Sequence, residues 1–187
     1  MEQRIILGID PGTRILGYGV ILVDERKAHY VDMGVVDLRK VIDHFEKLKV
    51  VAARVGELIE KYKPQDLAVE APFYSPEKQN PQVILKLGRV QGAAIAAALG
   101  RGLNVAEYAP RKVKMSITGQ GSASKEQVSL MLSKTLGMEL KPQWLDATDA
   151  LAIAMCHYYQ LVSPLSDTKS ARSWEDFLKI HPEKVKK

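Results

Sequence analysis

The stretch "LGIDPGTRILGYGVI", Leu7 to Ile21, decides how this chain is read. An apolar run ends in Asp10, Pro-Gly turns the chain, and a second apolar run broken by glycines follows. A carboxylate where a strand leaves the core is costly unless it is paired or put to use. Its meaning depends on which other acids the fold brings beside it.

Working outward, Arg4 to Asp10 ("RIILGID") reads as a buried strand. Gly17 to Val23 ("GYGVILV") and His29 to Val36 ("HYVDMGVV") follow as strands joined by short turns, an antiparallel meander. Apolar residues at helical spacing (Phe45, Leu48, Val51, Val55, Leu58, Ile59) predict a helix over Val41 to Tyr62, stopped by Pro64. "DLAVEAP", Asp66 to Pro72, is a fourth strand that ends in Glu70. The polar loop "FYSPEKQNP" leads to a helix rich in Ala and Gly, Gln82 to Leu99. "LNVAEYAP", Leu103 to Pro110, is a fifth strand, Arg111 to Ile117 a short helix, and "TGQGSAS" a flexible loop. Ser124 with Gln127 three residues on makes a capping box that opens another helix. Trp144 to Leu161 holds the last long helix. The order predicts an α/β fold, a mixed five-stranded sheet flanked by helices. Residues 1–162 form one domain in this reading. Residues 163–187 form a basic tail, with a short helix around "SWEDFLKI" or loose.

At 187 residues the chain can bury a full core. Its 46% apolar and 26% charged residues suit a soluble globular protein. No apolar run approaches the ~20 residues that span a bilayer, so no membrane partner is expected. The first strand starts almost at once, which leaves no room for a signal peptide. The single cysteine, Cys156, excludes an intrachain disulfide and fits a reducing cytoplasm. A net charge of +5 favours a polyanionic partner without specifying one.

Four acids stand in telling places. Asp10 ends the first strand and Glu70 the fourth. Asp146 and Asp149, in "LDATDALAIA", are three apart and share a helix face. If strands one and four are neighbours, Asp10 and Glu70 converge, and the last helix can lay its aspartates against them. Clustered carboxylates repel one another and persist when cations neutralise them. Oxygen ligands select Mg²⁺ or Mn²⁺. Such a site can hold two ions about 4 Å apart, one activating water and one stabilising the leaving oxygen of a phosphodiester. Each acid also has a plain alternative: Asp10 as a turn residue, Glu70 as a solvated strand end, and Asp146 and Asp149 as a negative first helical turn.

Basic and aromatic residues surround these acids in the sequence. Lys125 sits in a helix's first turn, where the macrodipole disfavours a cation; a phosphate held by backbone N–H groups would compensate. Arg111, Lys112 and Lys114 form a basic patch beside "TGQGSAS", suited to a nucleic-acid backbone or simply a solvated face. Phe73 and Tyr74, in a polar loop, could stack on an unpaired base or fold back onto the protein. Gly88, Gly92, Ala93, Ala96 and Ala97 let another backbone approach their helix, either the protein's own sheet or a partner. Cys156 and His157 read as core and near-core residues.

Taken in order, "LGIDPGTRILGYGVI", "AVEAPF", "LKLGRVQGAAIAAAL", "EYAPRKVKMSITGQGSASKEQV" and "LDATDALAIAMCH" resemble the RuvC family of Holliday-junction resolvases, over about Ile5 to Tyr159. The resemblance implies an RNase H-like fold, a homodimer with its contact around the Gln82–Leu99 helix, and Mg²⁺-dependent symmetric nicking of four-way junction DNA. Asp10, Glu70, Asp146 and Asp149 match the family's metal-binding acids, with two Mg²⁺ per site and Mn²⁺ able to substitute. Phe73 matches the aromatic that inserts near the junction centre. Lys114 and Lys125 match basic residues placed close to DNA, and the branch-migration proteins RuvA and RuvB are the implied partners. Three other readings compete: a single-lobe relative of actin-like and sugar-kinase ATPases, suggested by "GIDPGT"; a non-catalytic junction-binding module; and an RNase H-like nuclease acting on structured RNA.

Overall fold

The computed structural model describes residues 3–73, 80–140 and 145–163. Among them the chain forms strands β1 (Arg4–Asp10), β2 (Ile15–Asp24), β3 (Lys27–Asp37), β4 (Asp66–Glu70) and β5 (Asn104–Tyr108). The helices are α1 (His44–Tyr62), α2 (Pro81–Leu99), α3 (Pro110–Thr118), α4 (Lys125–Leu136) and α5 (Leu145–Val162). The expected mixed five-stranded sheet is present, in the order β3-β2-β1-β4-β5. β1, β2 and β3 form the meander, while β1, β4 and β5 run parallel.

Alternation along the strands splits the core into two layers. Leu7, Ile9, Leu67 and Val69 point to one face, where Val51, Val55, Leu58 and Ile59 of α1 and Val90, Ala94 and Ala98 of α2 cover them. Ile6 and Ala68 point to the other, beneath Val113 of α3, Val128 and Leu132 of α4, and Leu151 and Met155 of α5. Both parallel crossovers, β1 to β4 and β4 to β5, place their helices on the first face.

Element boundaries shift where local chemistry was misread. α1 begins at His44 rather than Val41 because the Asp43 carboxylate accepts from the Glu46 N–H at 2.9 Å and caps the helix. Phe45, counted with the core-facing residues, is 71% exposed. α2 begins at Pro81, behind an Asn80 cap. It is the one helix among the described residues whose length and mean hydropathy, 1.2, would suffice to cross a membrane, a criterion of length and composition that core helices also meet. Here one face of that helix packs on the sheet, and the other exposes Leu85, Gly92, Ala96 and Leu99. "TGQGSAS" is a closed turn rather than a flexible loop. Thr118 Oγ1 donates to the Lys114 carbonyl (2.8 Å) and accepts from the Gln120 N–H (3.1 Å), and the Ala123 N–H donates to the Gln120 carbonyl (3.2 Å). Trp144, the loop from Tyr74 to Gln79 and the tail beyond Ser163 lie outside the described residues.

Cys156 and His157 are core residues, as expected. The Tyr108 hydroxyl and His157 Nδ1 share a 2.6 Å hydrogen bond, and His157 Nε2 stands 3.7 Å from Asp66.

Candidate active site

Asp10 is the last residue of β1 and Glu70 the last of β4. Because the two strands are parallel neighbours, both acids arrive at the same end of the sheet, where the strands' C-termini lie. Asp146 and Asp149 lie at the start of α5, on one face. That helix reaches the sheet because the strands beneath it carry glycine. A Cβ on Gly17, which pairs with Asp10, would stand 2.1 Å from the Asp146 carbonyl oxygen. One on Gly8 would stand 2.2 Å from the Ala150 carbonyl oxygen.

This close approach gathers the acids. Carboxylate oxygens of Asp10, Asp146 and Asp149 all lie within 4.8 Å of one another. Glu70 lines a cleft of about 350 Å³ together with Asp10, Asp149, Lys114 and Lys125. Burial, and then the charges of Glu70, Asp149 and Asp146, push the Asp10 carboxyl up to about 8. Glu70 is raised to about 7, by burial first and then by Asp149. Burial raises Asp149 as well, although Lys125 pulls it back.

Lys125 is the first residue of α4, and its ammonium pairs with the Asp149 carboxylate. Burial alone would lower this lysine. Its hydrogen bond to Asp149 and the charges of Asp149, Asp10 and Asp146 hold it above the usual value instead. Thus the anion that compensates a cation at this helix start is a carboxylate, where the sequence suggests a phosphate. The capping box forms as expected, the Ser124 and Gln127 side chains each taking the other's backbone N–H.

Four acids face two ammonium groups, Lys114 and Lys125, in a partly buried cleft, and the crowding is severe enough that Asp10 and Glu70 hold protons where no cation is bound. An all-carboxylate oxygen set drawn from three elements fits a hard divalent cation of the Mg²⁺ or Mn²⁺ kind, and suits soft metals poorly.

Not every anticipated residue joins the cleft. Lys114, on α3, does. Arg111 lies on the exposed side of α3, its side chain over Gly121, and does not line the cleft. Phe73, three residues past Glu70, is 64% exposed. Tyr74 lies outside the described residues. Two residues went unnoticed in the sequence. Lys47 Nζ donates to the Thr13 carbonyl (2.8 Å) and holds the turn after Asp10. Gln91 Nε2 donates to the Glu70 carbonyl (3.1 Å). A lone amide on the sheet-facing side of an alanine-rich helix was the available signal for Gln91.

The family model described as "Crossover junction endodeoxyribonuclease RuvC" matches residues 6–157. The chain belongs to the RuvC family. A RuvC of that description from Bacteroides fragilis is 49% identical over 188 residues, covering 100% of this chain and 98% of that one. Thermus thermophilus RuvC, solved in complex with a Holliday junction substrate, is 34% identical with a TM-score of 0.76, covering 84% of this chain and 94% of that one. The yeast mitochondrial Holliday junction resolvase Ydc2 aligns with a TM-score of 0.62 at 16% identity, over 82% of this chain and 77% of that one, and so shares the fold alone. RuvC membership and these neighbours make the architecture the RNase H-like one expected.

Proposed function

We propose that this chain is a structure-selective endonuclease that cuts four-way DNA junctions by metal-dependent phosphodiester hydrolysis. The observation that carries the proposal is the convergence of Asp10, Asp146 and Asp149 within 4.8 Å, in a cleft also lined by Glu70 and two lysines. Asp10, Glu70, Asp146 and Asp149 would hold two Mg²⁺ ions, with Mn²⁺ able to replace them. When bound, the ions supply Lewis-acid activation of water and neutralise charge at the scissile phosphate.

The chain's own residues do the rest. The four acids are set on two strand ends and one helix face, so their spacing is rigid before substrate arrives. Lys114 and Lys125 meet the DNA backbone from α3 and α4 and offset its charge. Water adds to phosphorus and the P–O3′ bond breaks, which leaves 5′-phosphate and 3′-hydroxyl ends. Phe73, exposed and three residues past Glu70, would stack on a base at the junction centre; Arg111 and Tyr74 are further candidate DNA contacts.

The substrate has approximate two-fold symmetry, and so would a dimer. Gly88 and Gly92 on α2 have nothing within 4 Å of where a Cβ would be, and Leu85 and Leu99 are 55% and 58% exposed. This apolar, small-residue face suits a second copy of the chain. Family membership further suggests RuvA and RuvB as working partners.

The test is a labelled synthetic four-way junction incubated with and without Mg²⁺. Paired symmetric nicks that require Mg²⁺ are expected. Uncut junction, or equal cutting of plain duplex, overturns the proposal.

A further inference from the structure

Gln91 sits in the middle of α2 and is only 5% exposed. Its amide nitrogen has two protons, and both are used. One goes to the Glu70 carbonyl oxygen at 3.1 Å and the other to Glu107 Oε1 on β5 at 2.7 Å. The β1–β4 ladder ends at the Ile9–Val69 pair, one residue short of Glu70. On the other side, Glu70 still pairs with Tyr108 of β5, and the Ala71 N–H donates to the Tyr108 carbonyl at 2.9 Å. At the point where β1 no longer guides the strand, a side chain from α2 grips its carbonyl.

We propose that Gln91 is a positioning residue for the cation site, fixing the Glu70 peptide so that its carboxylate meets those of Asp10 and Asp149. This inference rests on the reading of Glu70 as a cation ligand. The bond to the Glu107 carboxylate is charge-assisted, and it orients the amide so that its second proton points at Glu70. Partners one bond removed from a metal ligand typically change metal affinity about 10–100-fold when lost. A buried amide also resists displacement, because leaving it unpaired carries a desolvation penalty. Since Gly92, the next residue, opens onto the outer face of α2, the helix that holds Glu70 is also the helix proposed to carry the partner subunit.

The test is Gln91→Met, which keeps the length of the side chain and removes both donors. Mg²⁺ binding to the DNA-free protein is measured by calorimetry, beside thermal melting and the Mg²⁺ dependence of junction cleavage. The expected result is a Mg²⁺ dissociation constant raised roughly tenfold or more, with the cleavage rate largely recovered at saturating Mg²⁺. A merely structural role would lower the melting temperature and leave the Mg²⁺ constant unchanged, and that outcome overturns the inference. Should Gln91→Met not fold, Gln91→Asn carries the same test, because it keeps the polarity but falls short of Glu70. Glu70→Gln in the same titration separates the two readings. Unaltered Mg²⁺ binding and cleavage in Glu70→Gln would remove Glu70 from the site whatever Gln91 does.

Discussion

The Lys125 ammonium and the Asp149 carboxylate form an ion pair inside the acid-lined cleft, joining the first residue of α4 to the start of α5. A lysine at a helix N-terminus is opposed by the macrodipole. Here Asp149, Asp10 and Asp146 favour its charge more strongly than burial penalises it. The pair supplies part of the counter-charge that divalent ions would otherwise provide.

Replacing Lys125 with Gln therefore leaves the acids facing one another. The variant is expected to melt at a lower temperature than the parent without metal, and the gap should close in Mg²⁺. Junction cleavage should fall roughly 10–100-fold, because the phosphate loses a charge-assisted contact. Melting curves with and without Mg²⁺, plus single-turnover cleavage, check this. Identical melting of the two metal-free proteins would show that the pair carries no weight.

The raised carboxyls set a pH dependence. Asp10 at about 8 and Glu70 at about 7 hold protons in the folded, metal-free protein that the unfolded chain, at 3.8 and 4.5, releases. Their contribution to stability is intact below the unfolded values and is lost as pH rises through the folded ones. Metal-free stability should thus fall between about pH 4 and pH 8. Mg²⁺ displaces the same protons, so its affinity should rise over about pH 6–8. Calorimetry in two buffers of different ionisation enthalpy counts the protons released. Asp10→Asn should flatten the stability profile and abolish nicking, by roughly 10²–10³-fold or more, while junction binding survives.

Gly17→Ala tests the close seat of α5. The new methyl would stand 2.1 Å from the Asp146 carbonyl oxygen, so the helix must lift. A loss of about 1–3 kcal/mol is expected from overpacking, read as a lower denaturant midpoint. Mg²⁺ affinity should fall with it, because Asp146 moves away from Asp10.

Phe73→Ala should leave the melting temperature unchanged, since the ring is 64% exposed. Duplex binding, which is electrostatic, should also hold. Junction cleavage should slow by roughly 5–150-fold, the worth of about 1–3 kcal/mol of base stacking. An unchanged rate would assign the ring no part in the junction.

Gly92→Arg probes the outer face of α2. Arginine is the better helix former, so the folded monomer should not lose stability through this helix. Light scattering behind gel filtration should nevertheless report a single-chain mass, and paired nicking should decay into single nicks. A dimeric mass would place the subunit contact elsewhere.

Much of this protein could be read from short-range pattern. The apolar run in "RIILGID", the helical spacing from Leu48 to Ile59 and the Ser124–Gln127 box each report on a few neighbouring residues, and each formed. The α1 start failed because a single capping carboxylate, Asp43, outweighed the apolar pattern ahead of it. "TGQGSAS" failed because its glycines sit in a turn held by Thr118 and Gln120.

The four acids were visible as residues in suggestive positions, because strand ends and a three-residue helical step are local properties. Their separation was not visible. It depends on β1 and β4 being parallel neighbours, on how closely α5 can approach through Gly8 and Gly17, and on Gln91 and Lys125 reaching in from helices remote in the chain. Those distances follow from packing across the whole core, where each contact joins residues tens of positions apart, and no window of sequence contains both partners.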